Sequence, residues 1–152
     1  MVNVNRDQLR HSAQTKKDAA NALIGADQPH PTPAVYLSHV ALECALKRRI
    51  LIKNGATSTD DLKRCLPEKA LEALFRGRTG HDLHHLGETS ALRRYLVASG
   101  HESLLQRREW RDMGGQRPYS LRYGVETVSA RMAADQVRFA ANLVDLVLQE
   151  AA

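Results

Sequence analysis

Apolar residues recur at helical spacing along most of the chain, and one stretch, YLSHVALECALKRRIL at residues 36–51, is apolar around most of its circumference. A helix of that kind belongs inside a bundle. It nonetheless carries a polar line. Tyr36, His39, Glu43 and Lys47 follow at steps of three, four and four, which places them on one face. An acid and a base on a buried helix need partners, because an unpaired buried charge is costly. Glu43 and Lys47 suit each other, with the acid on the favourable N-terminal side. Two readings stand side by side. The line is a structural ion pair in the core, or it is the wall of a polar pocket in a helical bundle.

The flanking pattern predicts further helices. The first covers residues 6–24, with Asn5 as cap, Gln8 three residues on, and a stripe of Leu9, Ala13, Ala20, Leu23 and Ile24. Gly25 stops it, and the prolines of DQPHPTP enforce an irregular loop. Thr32 is the expected cap of the second helix, with Pro33 in its first position and an end at Asn54-Gly55. Ser58 with Asp61 marks a short helix, followed by another at residues 67–75. Residues 81–98 read as helical but interrupted by Gly87, and residues 102–110 as a short helix with Leu104 and Leu105 inward. A polar, glycine-rich loop is expected at residues 111–124. The last helix is expected at residues 126–149, with Val128, Met132, Phe139, Leu143 and Leu146 on its apolar face. Strand signals and internal repeats are absent. The expected architecture is a single all-α domain over residues 1–152, an up-and-down bundle of three long helices plus shorter ones.

Composition narrows the class. Aromatic residues make up only 5% of the 152 residues, so Leu, Ala and Val must fill the core. No apolar run approaches the roughly 20 residues that span a bilayer, and the first residues lack a signal-peptide pattern. Cys44 and Cys65 have no metal-ligand spacing. A soluble, cytoplasmic protein without membrane attachment is expected. The formal charge of +5 is compatible with a nucleotide or nucleic-acid partner.

Candidate chemistry gathers around histidine and arginine. Arg76 and His81 have four residues between them, and Arg94 and His101 have six. His81, His84 and His85 can share a helix face, but no cysteine pair or HExxH context supports a metal site. No metal or cofactor is therefore assigned, and Asp82 is read as a helix cap. Arg117, Arg122 and Tyr123 surround the loop before the last helix, where free N–H groups can hold a phosphate. Alternatively, Arg122 pairs with an acid such as Glu43 while Tyr123 packs beneath the loop. Trp110 reads as a core anchor.

Three segments, in order, resemble the HEPN superfamily (higher eukaryotes and prokaryotes nucleotide-binding). They are YLSHVALECALKRRI at residues 36–50, GHDLHHL at residues 80–86, and Trp110 followed by a loop and LRYG at residues 121–124. The resemblance implies a helical bundle that often forms homodimers. Many members of that superfamily are metal-independent ribonucleases of toxin or defence systems, with an Arg and a His separated by four to six residues. Others lack the pair and accompany nucleotidyltransferases or bind nucleotides.

Here Gly77 follows Arg76 where the family usually has Asn, Asp or His, and the spacing crosses a glycine-containing loop. The expected function is a helical module that binds a nucleotide, RNA or a partner protein such as an antitoxin or nucleotidyltransferase. Its binding residues would be Tyr36, Glu43, Lys47, Arg122 and Tyr123. The alternative is an RNA endonuclease using Arg76 and His81, in which His81 takes the 2′-hydroxyl proton and Arg76 stabilises the phosphorane.

Overall fold

The structure, a computed structural model, describes residues 2–75, 79–115 and 117–151. Three long helices form the frame: α1 (Arg6–Ile24), α2 (Pro31–Lys53) and α9 (Ala130–Leu148). Between them run α3 (Thr59–Leu62), α4 (Glu68–Phe75), α5 (Leu83–Thr89), α6 (Leu92–Ala98), α7 (Arg108–Asp112) and α8 (Arg117–Arg122). Two 3₁₀ turns, at Thr79–His81 and Glu102–Gln106, complete the order. No strand occurs among the described residues, so the protein is an all-α bundle. No helix among them is long and apolar enough to cross a membrane.

Local chemistry explains most of the boundaries. Asn5 and Gln8 form a reciprocal capping box, with Gln8 N–H donating to Asn5 Oδ1 at 2.8 Å and Asn5 N–H to Gln8 Oε1 at 2.9 Å. Ser58 caps α3 and Ser129 caps α9 through side-chain oxygens.

Several sequence expectations need correction. Thr32 does not cap α2. The helix begins at Pro31, where proline's missing donor costs nothing, and Thr32 Oγ1 instead accepts the Val128 N–H at 3.2 Å. Gly87 does not interrupt its helix. The break falls after Thr89, where Ala91 adopts a left-handed φ of 55°. The segment expected as one helix at residues 102–110 is a 3₁₀ turn plus α7. The polar loop contains α8, a helix hidden between glycines. The last helix starts at Ala130, which leaves Met132 at 40% exposure on its first turn instead of in the core.

Helix α1 runs opposite to α2 and α9, which run in the same direction, so the three long helices do not alternate as a simple up-and-down bundle would. The start of α1 lies beside the residues that follow α2, because Arg6 N–H donates to the Thr57 carbonyl, so α1 and α2 are antiparallel. The starts of α2 and α9 meet through Thr32 and Val128. The α9 carboxyl end is gripped by cations, as its dipole favours. Arg10 donates to the Leu148 carbonyl, Arg48 to the Glu150 carbonyl at 3.1 Å, and Arg49 to the Glu150 carboxylate. Tyr95 adds a 2.6 Å hydrogen bond to the Leu146 carbonyl and lies under the Arg49 guanidinium, 4.5 Å from ring centroid to Cζ.

The main core joins Leu42, Leu46 and Ile50 of α2 to Leu143 and Val147 of α9 and to Leu83 and Leu86 of α5. Trp110 lies in this core, as expected. A second apolar cluster, including Val35, Leu121, Val128 and Val137, fills the end where α2 and α9 begin and seats α8 there.

Candidate functional site

His39, Glu43 and Lys47 of the polar line are buried, while Tyr36 at its start is half-exposed. Lys47 Nζ donates to Glu43 Oε1 at 2.6 Å, and each side chain is only 11% exposed. The Lys47 ammonium also lies 5.4 Å from the Phe75 ring centroid. The pair therefore has the geometry of a core ion pair, but Glu43 has a second partner. His81 Nδ1 sits 3.0 Å from Glu43 Oε2 and 3.1 Å from Oε1. Glu43 thus bridges a buried cation and an imidazole at the edge of the bundle.

His81 reaches this position because of the elements on either side of it. The Thr79–His81 turn delivers it just before α5, whose cap is Asp82, accepting the His84 N–H at 3.0 Å. Gly80 lies in that turn, where an added Cβ would sit 3.0 Å from the Leu74 carbonyl oxygen, so the close approach needs glycine. From α2, His39 Nε2–H donates to the His81 carbonyl at 3.1 Å and fixes the backbone. His39 is fully buried, and that burial pushes its pKa down to about 4 despite the favourable bond to His81. His39 is therefore neutral, and its Nδ1 has no hydrogen-bond partner among the described residues.

When Nδ1–H is donated to the carboxylate and the ring carries one proton, the lone pair is on Nε2, on the side of the ring away from Glu43. No described residue hydrogen-bonds that nitrogen, and the side chain is 40% exposed. His81 lines a small open cleft with Tyr36, Pro118, Tyr119 and Arg122. The Tyr119 ring stands perpendicular to the His81 ring, with centroids 5.7 Å apart. The cleft joins a positioned imidazole, a guanidinium and two phenol rings. Such a set can hold a phosphate and exchange a proton with a group bound beside it.

The candidate residues divide. Tyr36, His81 and Arg122 share the cleft, and Glu43 and Lys47 stand behind His81 as its buried support. Arg122 does not pair with Glu43. It is exposed on α8, 5.6 Å from the Tyr123 ring, because Lys47 and His81 already occupy the carboxylate. Tyr123 is 68% exposed and does not pack beneath the loop. Arg117 takes the buried role instead, donating to the Asp112 carbonyl at 2.7 Å and pairing with Glu126 at 3.2 Å. Arg76 lies outside the described residues.

Arg94 is exposed on α6, and His101 contacts Ser99 in the turn that follows, away from the cleft residues. His84 turns toward the Trp110 carbonyl, at 2.7 Å, and no metal-binding cluster of His, Cys, Asp and Glu occurs among the described residues. Cys44 and Cys65 are free thiols. Sequence reasoning passed over Tyr119, because the helix that presents it looks like loop, and treated His39 only as a member of the polar line.

No protein-family model, curated protein or solved structure matches the chain.

Proposed function

We propose that this chain is a HEPN-type helical module that binds the phosphate-bearing backbone of a nucleotide or RNA in the cleft between α2, the Thr79–His81 turn and α8. The observation that carries this reading is the convergence of His81, Arg122 and Tyr36 on one open cleft, with His81 held by the buried Glu43–Lys47 pair. Guanidinium and imidazole groups suit phosphate oxygens, and the phenols suit bases or sugar hydroxyls. The formal charge of +5 favours a polyanion. A cytoplasmic homodimer working beside an antitoxin or nucleotidyltransferase, in a toxin or defence pair, fits the same resemblance.

A second reading, metal-independent RNA cleavage by Arg76 and His81, draws on one specific feature. A histidine with Nδ1 on a carboxylate and Nε2 unbonded among the described residues is arranged as a general base. Nε2 would take the proton of an RNA 2′-hydroxyl as that oxygen forms a bond to phosphorus. The bond from phosphorus to the 5′-oxygen would break, and that oxygen would take up a proton. The products would be a 2′,3′-cyclic phosphate and a 5′-hydroxyl. Arg76, with Arg122 at the cleft, would offset the charge on the phosphoryl oxygens.

One experiment separates the readings. Purified protein is incubated with a mixed RNA pool in EDTA, and binding and cleavage are both measured, with His81→Ala and Arg122→Ala in parallel. Binding without cleavage, weakened in Arg122→Ala, supports the module. Cleavage lost in His81→Ala supports the nuclease. Neither binding nor cleavage overturns both RNA readings.

A further inference from the structure

Helix α8 and the turn that follows it present an uncovered surface beside the cleft. Tyr119 is 37% exposed, Tyr123 68% and Val125 82%. Large side chains exposed together on a small protein mark a contact surface more often than chance placement. The Arg122 guanidinium lies over the Tyr123 ring, 5.6 Å from its centroid. Tyr119 turns its ring edge-on to His81 and lines the same cleft as Arg122. Tyr119 and Arg122 on α8 and Tyr123 in the turn after it therefore lead outward from the imidazole.

We infer that Tyr119, Arg122 and Tyr123 form a stacking platform for an unpaired base, so that the ligand is single-stranded RNA and not a duplex. This rests on the RNA-binding reading above. The physical reason is that a base offers its flat face only when it leaves a helix. Aromatic rings and arginine planes bind that face with little regard to sequence. Arg122 serves both ends of a nucleotide, because its plane stacks and its N–H groups reach phosphate oxygens. A base laid against Tyr123 places its own phosphate toward Arg122 and the His81 cleft. A duplex hides its base faces and leaves only the phosphate contacts. Tyr36, on the α2 side of the cleft, closes the other wall.

The test uses three forms of one fluorescently labelled oligonucleotide of about ten nucleotides, within the usual site size for single strands. All carry 2′-O-methyl groups, which removes the internal nucleophile and so prevents cleavage. The first form is intact and single-stranded, the second has abasic sites at alternate positions, and the third is annealed to its complement. Anisotropy titration is expected to show the intact strand bound about tenfold more tightly than either other form, a typical contribution for one stacked base. Tyr123→Ser is expected to abolish this preference and Tyr123→Phe to keep it, while near-identical melting temperatures show that neither change unfolds the protein. Equal binding of intact and abasic strands overturns the platform but leaves phosphate binding standing. Binding of none of the three overturns the RNA reading itself, and the platform with it.

Discussion

Glu43 and His81 meet across the packing of α2 against the turn that leads into α5, with Oε2 and Nδ1 3.0 Å apart. The contact fixes which histidine nitrogen carries the proton. In mildly alkaline solution His81 is expected to be the Nδ1–H tautomer, read from nitrogen-15 shifts of the ring. Glu43→Gln removes the anionic acceptor, and the Nε2–H form common to free imidazole is expected to appear. An unchanged tautomer in Glu43→Gln would show that the carboxylate does not orient the ring.

The Glu43–Lys47 pair is nearly out of water, at 11% exposure on both sides. Breaking one half strands the other charge. Lys47→Met is expected to cost about 2–3 kcal/mol in urea unfolding, less than for a fully enclosed pair because His81 still holds Glu43. Adding Glu43→Gln is expected to recover at least half of that loss, because no charge is then left unpaired. Additive losses in the double variant would contradict a coupled pair.

His39 makes the fold acid-sensitive in a defined window. Its folded pKa of about 4 lies below the ordinary 6.5, so the unfolded chain binds the proton first as pH falls. The stabilisation is complete above pH 6.5, declines as pH drops toward 4, and is gone below that value. The total change is about 3 kcal/mol. His39→Gln keeps a donor for the His81 carbonyl but cannot titrate. The urea midpoint of this variant is expected to vary much less across the window than that of the wild type. Parallel curves would place the acid sensitivity elsewhere.

Arg49 ties three parts of the chain together. It donates to the Ser90 carbonyl from Nη2 at 2.9 Å and from Nε at 3.2 Å, pairs with the Glu150 carboxylate and stacks on Tyr95. Arg49→Ala is expected to destabilise the protein by about 2–4 kcal/mol, because the lost contacts are buried or half-buried. Amide hydrogen exchange is expected to rise most in α6 and the last turn of α9. Uniform exchange throughout would show that the arginine does not hold these ends.

The frame was legible because long helices write their period into the sequence. Asn5 with Gln8, and Ser58 before α3, mark their helix starts in residues that chemistry requires there. The polar line of α2 was also legible, since Tyr36, His39, Glu43 and Lys47 recur at helical spacing. The short elements were not. Helix α8 spans only Arg117–Arg122, too short for a period to show, and the glycines around it read as loop. The partner of Glu43 was hidden for another reason. His81 lies 38 residues away in sequence, and only the packing of α5 on α2 brings it to the carboxylate. Of the two sequence readings of Arg122, pairing with an acid such as Glu43 is not what the fold shows, and the residue lines the cleft instead.

The most direct test of the site is an amide and side-chain NMR titration with a short single-stranded RNA in EDTA. The expected result is saturable shifts confined to Tyr36, His81, Tyr119, Arg122 and Tyr123 and their neighbours, strongly reduced in Arg122→Ala. Shifts that map to the opposite end of the bundle, around Arg10, Arg48 and Glu150, or no shifts at any RNA concentration, would contradict it.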